Sequence, residues 1–282
     1  MRVIRTVNEM RKALLVFRQK NLSIGFVPTM GYFHQGHLSL MQASVEHHDV
    51  TVVSLFVNPF QFGPKEDLLC YPRDIKHDIK SAREAGVDFL FIPSSREMYL
   101  DPFLTFVDVG EITQVLCGAS RPGHFRGVAT VVAKLLNIVR PQFMYMGQKD
   151  AQQVEVVTRM VKDLNFDVKV CVRPTCREAD GLAMSSRNAR LSPSERSIAP
   201  RLYQALCVAR QMADDGERNA VKIISQIKKL ISDGTGASID YVSCIGLDRF
   251  MPVRRIKGKV LVAVAVRIGK TRLIDNIVIK AQ

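Results

Sequence analysis

The chain has 282 residues, 47% hydrophobic and 24% charged, a composition typical of a folded globular protein long enough for two domains. Its apolar runs, such as residues 260–266, are far shorter than the ~20 residues that cross a bilayer, and no leader-like apolar segment follows the basic N-terminus. The six cysteines form no C-x-x-C pair. These features argue against membrane attachment, export and a disulfide framework, while the net charge of +13, concentrated after Cys176, requires an anionic partner to be considered.

The chain begins with a predicted short strand and amphipathic helix, and residues 23–40 continue with a strand and a turn. A second helix is predicted over residues 38–48, with His34 and His37 at its start. Because the first N–H groups of a helix and its dipole attract anions, phosphate is the expected ligand, and Gly36 leaves room for it. Two alternatives stay open. Histidines three apart also cap helices or pair on surfaces, and a zinc site would need further ligands that no nearby cysteine supplies.

Further along, buried strands alternate with helices. The apolar run of residues 51–57 is typical of a parallel strand covered on both faces, and a helix at 74–85 and a strand at 87–93 follow it. This alternation predicts a doubly wound parallel sheet with ligands at the carboxyl ends of its strands. Asn58 and Gln61 come directly after such an end.

The polar turn Gly147–Asp150 lies between another predicted strand and helix. A helix is predicted at 124–139 and a strand at 142–146 before the turn. After it, a helix that extends to residue 164 and a strand at 168–172 are predicted. Lys149 stands at a helix start, where the dipole disfavours a cation, so a bound phosphate would explain it better than simple exposure would. Asp150 fits as a helix cap.

A second domain is predicted to begin at Cys176. The small and polar residues around Ser185, Ser186 and Arg187 suit an ordered loop whose hydroxyl and guanidinium donors could clamp phosphate, although a plain exposed loop has the same composition. Ser192 begins a helix-capping pattern. Two helices to about residue 232 and strands at 239–244, 260–266 and 272–279 complete a small α+β unit.

Taken together, these residues resemble one family, the pantothenate synthetases (pantoate–β-alanine ligases). The resemblance covers nearly the whole chain. It is carried by Pro28-Thr-Met-Gly-Tyr-Phe-His-Gln-Gly-His37, Phe56-Val-Asn-Pro-Phe-Gln-Phe62, Tyr71-Pro-Arg73, His124-Phe-Arg-Gly-Val128, Gly147-Gln-Lys-Asp-Ala-Gln-Gln153 and Ala179-Asp-Gly-Leu-Ala-Met-Ser-Ser-Arg-Asn188. An H-x-G-H motif alone marks only a broad nucleotidyltransferase superfamily, and the remaining motifs at these separations make the resemblance specific.

The resemblance implies an α/β fold with a Rossmann-like doubly wound sheet in residues 1–175 and a smaller C-terminal α+β lid domain in residues 176–282. It also implies a cytoplasmic homodimer that condenses pantoate with β-alanine, using ATP and Mg²⁺, through pantoyl adenylate. The implied ATP contacts are Pro28, Thr29, Met30, His34, Gly36, His37, Gly147, Lys149, Asp150, Cys176, Met184, Ser185, Ser186 and Arg187. The implied catalytic set is His34, His37, Lys149 and Arg187, the implied pantoate contacts are Met30, Gln61 and Gln153, and Asp78 matches an acidic residue near the metal.

Four positions depart from the usual family pattern. Gln35 and Gln148 replace glutamates, Ala151 replaces an aromatic residue, and His77 stands where an acidic residue often precedes Asp78. The two glutamines remove negative charge near the triphosphate, and His77 weakens the metal assignment.

Two other functions are compatible with parts of the sequence. Another H-x-G-H adenylyltransferase would leave its product adenylylated. The charge alone is compatible with an RNA-binding protein, but no recognition helix, zinc-finger spacing or aromatic-interleaved basic stripe accompanies it, so no specific nucleic-acid partner is expected.

Overall fold

The structure is a computed structural model that describes residues 1–64, 66–233 and 236–281. The chain divides into two compact units. The first comprises Met1–Gly110, Arg121–Gln148 and Gln153–Pro174, and the second comprises Glu111–Ser120, Lys149–Gln152 and Thr175–Gln282. The last junction lies one residue from the domain boundary expected from the sequence, whereas the segments 111–120 and 149–152 belong to the second unit although they precede that boundary.

Strands and helices alternate through the first 173 residues, except that three helices lie between β4 and β5. They are β1 (Arg2–Ile4), α1 (Val7–Gln19), β2 (Ile24–Thr29), α2 (Gln35–His47), β3 (Val50–Leu55), α3 (Ile75–Glu84), β4 (Phe89–Phe91), α4 (Ser95–Met98), α5 (Leu116–Ser120), α6 (His124–Val139), β5 (Phe143–Gly147), α7 (Ala151–Asp163) and β6 (Lys169–Arg173). Of these, α5 lies in the second unit.

The sheet of the first unit has six parallel strands in the order β1-β4-β3-β2-β5-β6. The strand order reverses at β2, and in doubly wound sheets ligands bind at the carboxyl ends of the strands near such a reversal. The predicted doubly wound α/β fold is therefore confirmed. The turn after β2 carries Met30 to His34, and Asn58 and Gln61 follow β3.

Central strands of this sheet are covered on both faces. Every residue of β3 is buried, and so is every residue of β2 except Pro28, which is half-buried. Such strands read as continuous apolar runs, which is why they were recognisable in the sequence. Val27, Leu40, Met41, Val53 and Leu90 belong to one core cluster that joins α2 to the strands.

The start of α2 differs from the prediction by three residues. The helix begins at Gln35 and not at Leu38, because the His34 side chain caps it. Periodic apolar positions mark only the part of a helix that packs against the core, so a polar first turn is missed by that pattern.

From residue 175 onward, the described part of the second unit contains three helices and a four-stranded antiparallel sheet. Its remaining elements are α8 (Pro193–Ile198), α9 (Arg201–Asp214), α10 (Ala220–Ser232), β7 (Ser238–Gly246), β8 (Met251–Pro252), β9 (Gly258–Ile268) and β10 (Thr271–Ala281), and the strand order is β10-β9-β7-β8. The small α+β unit is confirmed, but residues 193–232 form three helices where two were expected. Pro200 separates α8 from α9, as expected for a residue that lacks the N–H that a continuous helix needs.

Helices α9 and α10 cover one face of the second sheet. Leu202 and Leu206 of α9, Ile227 of α10, and Val262 and Val264 of β9 share one buried cluster. Among the described residues, no helix has the length and apolar character that a membrane span requires.

Candidate active site

Two histidines form the N-terminal end of α2. His34 is the N-cap residue, and its Nδ1 accepts a hydrogen bond from the Gly36 N–H at 3.1 Å. The Nδ1 of His37 in turn accepts from the His34 N–H at 3.3 Å, and the two ring centroids are 4.0 Å apart. In this tautomer the hydrogen of each imidazole lies on Nε2. His34 therefore caps the helix, as one of the alternatives from the sequence proposed. This role uses Nδ1, so it is compatible with an Nε2 hydrogen that donates to a phosphate at the helix end.

Gln61 is a buried glutamine whose amide is fixed by its neighbours. Its Oε1 accepts from Asn58 Nδ2 at 3.1 Å, and its Nε2 lies 2.9 Å from the Met30 sulfur. The orientation of Asn58 follows from Tyr99, whose hydroxyl donates to Asn58 Oδ1 at 2.7 Å. Burial raises the pKa of Tyr99, so its hydroxyl stays protonated as this donor. Gln61 is therefore left with Nε2 as the group that can donate to an acceptor on a ligand, such as a carboxylate or hydroxyl oxygen.

The main chain of Gln61 is held from helix α6 and the turn before it. Its carbonyl oxygen lies 2.8 Å from His124 Nδ1 and accepts from Arg121 at 3.3 Å. Arg121 also makes a bidentate ion pair with Glu66, with Nε at 2.7 Å from Oε1. Gly127 allows this close packing, because a Cβ there would lie 2.2 Å from the Phe60 oxygen. Sequence reasoning did not identify the supporting roles of Asn58, Tyr99, Arg121 and Glu66. Two of them lie near recognised features, since Asn58 is three residues past the end of β3 and Arg121 is three residues before the His124 motif.

Asp78 lies on α3 and is only 1% exposed. Its two carboxylate oxygens accept from the main-chain N–H groups of Tyr32 at 2.8 Å and Phe33 at 2.7 Å. Burial raises the pKa of Asp78 above its ordinary value, and the two N–H donors act in the opposite direction. His77, beside it, lies 3.3 Å from the Ser81 hydroxyl through Nε2. Within the described residues no group of three His, Cys, Asp or Glu side chains could hold a metal ion. Because main-chain N–H groups occupy both of its carboxylate oxygens, Asp78 does not fit the expected magnesium role.

Other expected contacts of the first unit lie at strand and helix ends. Thr29 ends β2, and its hydroxyl donates to the Ser54 oxygen at 2.7 Å, so this side chain serves the sheet. Pro28 lies within β2, Gly147 ends β5, and Gln153 lies in the first turn of α7.

The expected residues Lys149 and Asp150 lie in a 3-10 turn before α7. The Lys149 carbonyl accepts from Asn276 Nδ2 at 2.9 Å. Next to them, the buried Gln152 accepts from the Cys117 N–H and donates to the carbonyls of Ile112 and Val115, at 2.7–2.9 Å. These bonds attach the start of α7 to the segment 111–120 within the second unit. Sequence reasoning did not single out Gln152, because its partners are more than 30 residues away.

The loop after Cys176 folds back on itself. The Met184 N–H donates to the Cys176 carbonyl at 2.9 Å, and the two sulfur atoms are 3.5 Å apart. Ser185 then caps a 3-10 turn, Ser186–Arg190, by accepting from the Arg187 N–H at 3.3 Å. The structure thus brings together the five expected loop residues Cys176, Met184, Ser185, Ser186 and Arg187.

An ion pair holds this loop to the second sheet. Arg177 donates to both carboxylate oxygens of the buried Asp275, at 2.6 and 2.9 Å, and its guanidinium lies 3.7 Å from the centre of the Tyr203 ring. A planar bidentate pair of this kind fixes the direction of the chain more firmly than a single contact would.

Comparisons with known proteins show which family the chain resembles. Residues 2–278 match the family model described as pantoate-beta-alanine ligase. The chain is 53% identical to a pantothenate synthetase of Acetivibrio thermocellus over 99% of this chain and 100% of the relative, and 51% identical to that of Caldicellulosiruptor saccharolyticus over 99% of both. The crystal structure of pantothenate synthetase from Thermus thermophilus superposes with a TM-score of 0.93 at 45% identity, covering 98% of this chain and 99% of the other.

A second solved structure is informative because it holds ligands. It is a pantoate-beta-alanine ligase from Francisella tularensis, complexed with beta-gamma ATP and β-alanine, with a TM-score of 0.81 at 34% identity over 98% of this chain and 97% of the other. Family model, relatives and structures agree over almost the full length of the sequence. The chain belongs to the pantoate–β-alanine ligase family.

Proposed function

We propose that this chain joins pantoate to β-alanine in two steps driven by ATP. In the first, a carboxylate oxygen of pantoate attacks the α-phosphorus of ATP, a P–O bond forms, and pyrophosphate leaves. In the second, the amine of β-alanine attacks the acyl carbon of pantoyl adenylate, the amide bond forms, and AMP leaves. The Francisella relative, whose crystal structure contains an ATP compound and β-alanine, supports this choice of substrates.

The observation that carries the proposal is the fixed amide of Gln61. Because Asn58 occupies its Oε1, the Nε2 donor is presented to a ligand acceptor such as a pantoate oxygen. The same unit holds His34 and His37 with Nε2 donors at a helix start, where phosphate is favoured. A donor for the acid and donors for the nucleotide are the two requirements of an acyl adenylation.

Catalysis of the first step is proposed to depend on charge neutralisation and positioning, since two anions must meet. No nucleophilic side chain is required. The proposed catalytic residues are His34, His37, Lys149 and Arg187. The proposed ATP contacts are Pro28, Thr29, Met30, Gly36, Gly147, Asp150, Cys176, Met184, Ser185 and Ser186 together with these four, and the proposed pantoate contacts are Met30, Gln61 and Gln153.

Magnesium is proposed to enter with the phosphates of ATP. Mg²⁺ commonly keeps several waters and takes substrate phosphates as ligands, so it does not need a cluster of protein carboxylates. A homodimer in the cytoplasm completes the proposal, and both features rest on the family resemblance.

A substrate-omission assay tests the proposed reaction. We expect free AMP and pyrophosphate in steady state only when pantoate, β-alanine and ATP are all present, and enzyme-bound adenylate when β-alanine is left out. AMP release that does not depend on pantoate would overturn the proposal. A stable adenylylated product that β-alanine does not consume would instead favour the other class of H-x-G-H adenylyltransferase.

A further inference from the structure

The carboxylate of Asp78 is used entirely by the main chain of a neighbouring turn. Its Oδ2 and Oδ1 accept from the N–H groups of Tyr32 and Phe33 at 2.8 and 2.7 Å. These are short, charge-assisted bonds, and the side chain is 99% buried, so neither bond competes with solvent. Through these two bonds the Asp78 side chain connects α3 to the residues that precede α2.

The turn that Asp78 holds has an unusual backbone. Gly31 and Tyr32 have φ values of +88° and +54°, in the left-handed region that a residue such as tyrosine rarely adopts. A Cβ at position 31 would lie 2.9 Å from Asp78 Oδ2, so the glycine also makes room for the carboxylate. A conformation of this kind persists only when its surroundings hold it.

Both ends of this turn carry proposed substrate contacts. Met30 precedes it, with its sulfur 2.9 Å from the Gln61 Nε2, and His34 follows it as the N-cap of α2. A change in the peptide groups of Tyr32 or Phe33, which lie between them, would displace the His34 ring and the start of α2. A shift of about 1 Å at a group that stabilises charge in the transition state can cost about a hundred-fold in rate.

We propose that Asp78 is a positioning residue, which holds the Met30–His34 turn in the conformation needed for adenylation and does not bind Mg²⁺. This rests on the proposed function. His77 agrees with it, because this side chain stands where the family pattern often has a second carboxylate.

The test compares Asp78→Asn with a matched control, Ser81→Ala. Asparagine has almost the same shape but sets an N–H₂ group against one of the two backbone N–H groups, so one hydrogen bond becomes a repulsion. Ser81 lies on the same helix and is also buried, but its hydroxyl pairs with the exposed His77 and not with the Met30–His34 turn. Pyrophosphate release without β-alanine measures adenylation, and preformed pantoyl adenylate with β-alanine measures amide formation, each over a Mg²⁺ series.

For Asp78→Asn we expect adenylation to fall roughly ten- to hundred-fold, amide formation to change much less, and the Mg²⁺ concentration for half-maximal rate to stay unchanged. Ser81→Ala should resemble the wild type in all three. A several-fold higher Mg²⁺ requirement, with the rate recovered at high Mg²⁺, would identify a metal ligand and overturn the proposal. Equal losses in both steps with a lowered unfolding midpoint would reduce Asp78 to a general structural role.

A measurement on the wild-type protein covers the case in which Asp78→Asn does not fold. The amide hydrogens of Tyr32 and Phe33 should stay protected from exchange when ATP and Mg²⁺ are added, because Asp78 keeps both bonds. Loss of that protection on adding Mg²⁺ would contradict the proposal. If the wild-type enzyme itself releases no pyrophosphate with pantoate and ATP, the proposed function fails, and the exchange result still decides the role of Asp78.

Discussion

The two histidines at the start of α2 use their two ring nitrogens for different purposes. Each Nδ1 accepts a main-chain N–H of the first turn, which satisfies donors that a helix otherwise leaves without partners. Each Nε2 then carries the hydrogen that a phosphate oxygen can accept. The fold and the proposed chemistry therefore constrain the same side chains, and a substitution that keeps the cap without the ring separates the two roles.

We expect His34→Ala and His34→Asn to lose adenylation alike and to differ in stability. Each lacks the proposed donor, and the loss of one preorganised donor typically costs about 2.7–4 kcal/mol in the rate of the step that it assists. Alanine also removes the helix cap, which lowers the unfolding free energy by about 0.5–2 kcal/mol, whereas asparagine is a good N-cap. Single-turnover pyrophosphate release and thermal unfolding measure the two effects.

Lys149→Ala should show the same loss in adenylation, and His47→Ala, at the other end of α2, is the control that should keep wild-type rates. Preformed pantoyl adenylate should restore much of the rate in the His34 and Lys149 variants, because pyrophosphate no longer has to leave. Normal adenylation by His34→Asn would show that the histidine is a cap and nothing more.

Gln61→Ala is expected to weaken pantoate binding in particular. The substitution leaves the pantoate oxygen without its donor and one of the two Asn58 Nδ2 hydrogens without its acceptor, while the other still bonds to the Gly127 carbonyl. We expect this to cost about 1–3 kcal/mol. The apparent affinity for pantoate should fall accordingly, while that for ATP changes little. Steady-state kinetics with each substrate varied in turn measure this, with the exposed Gln42→Ala on α2 as the control. Unchanged pantoate kinetics would move the acid site elsewhere.

The sequence predicts Gln61 as a ligand contact but does not predict its orientation. The apolar strand before it and the family motif both indicated a ligand contact. Which amide atom faces the ligand depends on Asn58 and Tyr99, and the Tyr99 hydroxyl reaches Asn58 across 41 residues of chain. Local patterns contain no information on a hydrogen bond of that span, and the same holds for Asp78 and the turn of Tyr32 and Phe33.

At the scale of elements, the start of α7 depends on one buried amide. Gln152 makes three hydrogen bonds to the main chain of the segment 111–120, within the second unit. Lys149 and Asp150 lie in the turn directly before it. The helix end that carries these proposed ATP contacts is therefore attached to that segment through Gln152.

Gln152→Ala should lower the unfolding free energy by about 2–4 kcal/mol, because one buried N–H and two buried carbonyls lose their partner. Urea unfolding measures this, with the exposed Gln211→Ala on α9 as the control, for which a change within about 0.5 kcal/mol is expected. A variant as stable as the wild type would show that these hydrogen bonds are replaced by water.

Helix and strand identities followed well from the pattern of apolar residues, and their ends followed less well. The capping pattern at Ser192 gave the start of α8 correctly, since its side chain and that of Glu195 form the expected reciprocal bonds. The start of α2 was placed too late, because histidine is an uncommon capping residue and the first turn has few core contacts.

At the scale of the whole molecule, the division into two units includes segments that no local pattern could assign. Residues 111–120 belong to the second unit through contacts such as Cys117 with Tyr241, at 3.1 Å across 124 residues of chain. Within this unit Arg177, Arg196 and Arg272 form ion pairs with aspartates, so these three cations do not contribute to the net excess of positive charge. The excess comes from the other basic residues.

Transfer of an oxygen label from pantoate decides whether pantoyl adenylate is formed. If the pantoate carboxylate attacks the α-phosphorus, the bridging oxygen stays with phosphorus when the β-alanine amine breaks the acyl C–O bond. With pantoate labelled with ¹⁸O in its carboxylate, mass spectrometry should therefore find one labelled oxygen in each AMP released and none in pyrophosphate. AMP without label, or label in inorganic phosphate or pyrophosphate, would contradict the proposed reaction.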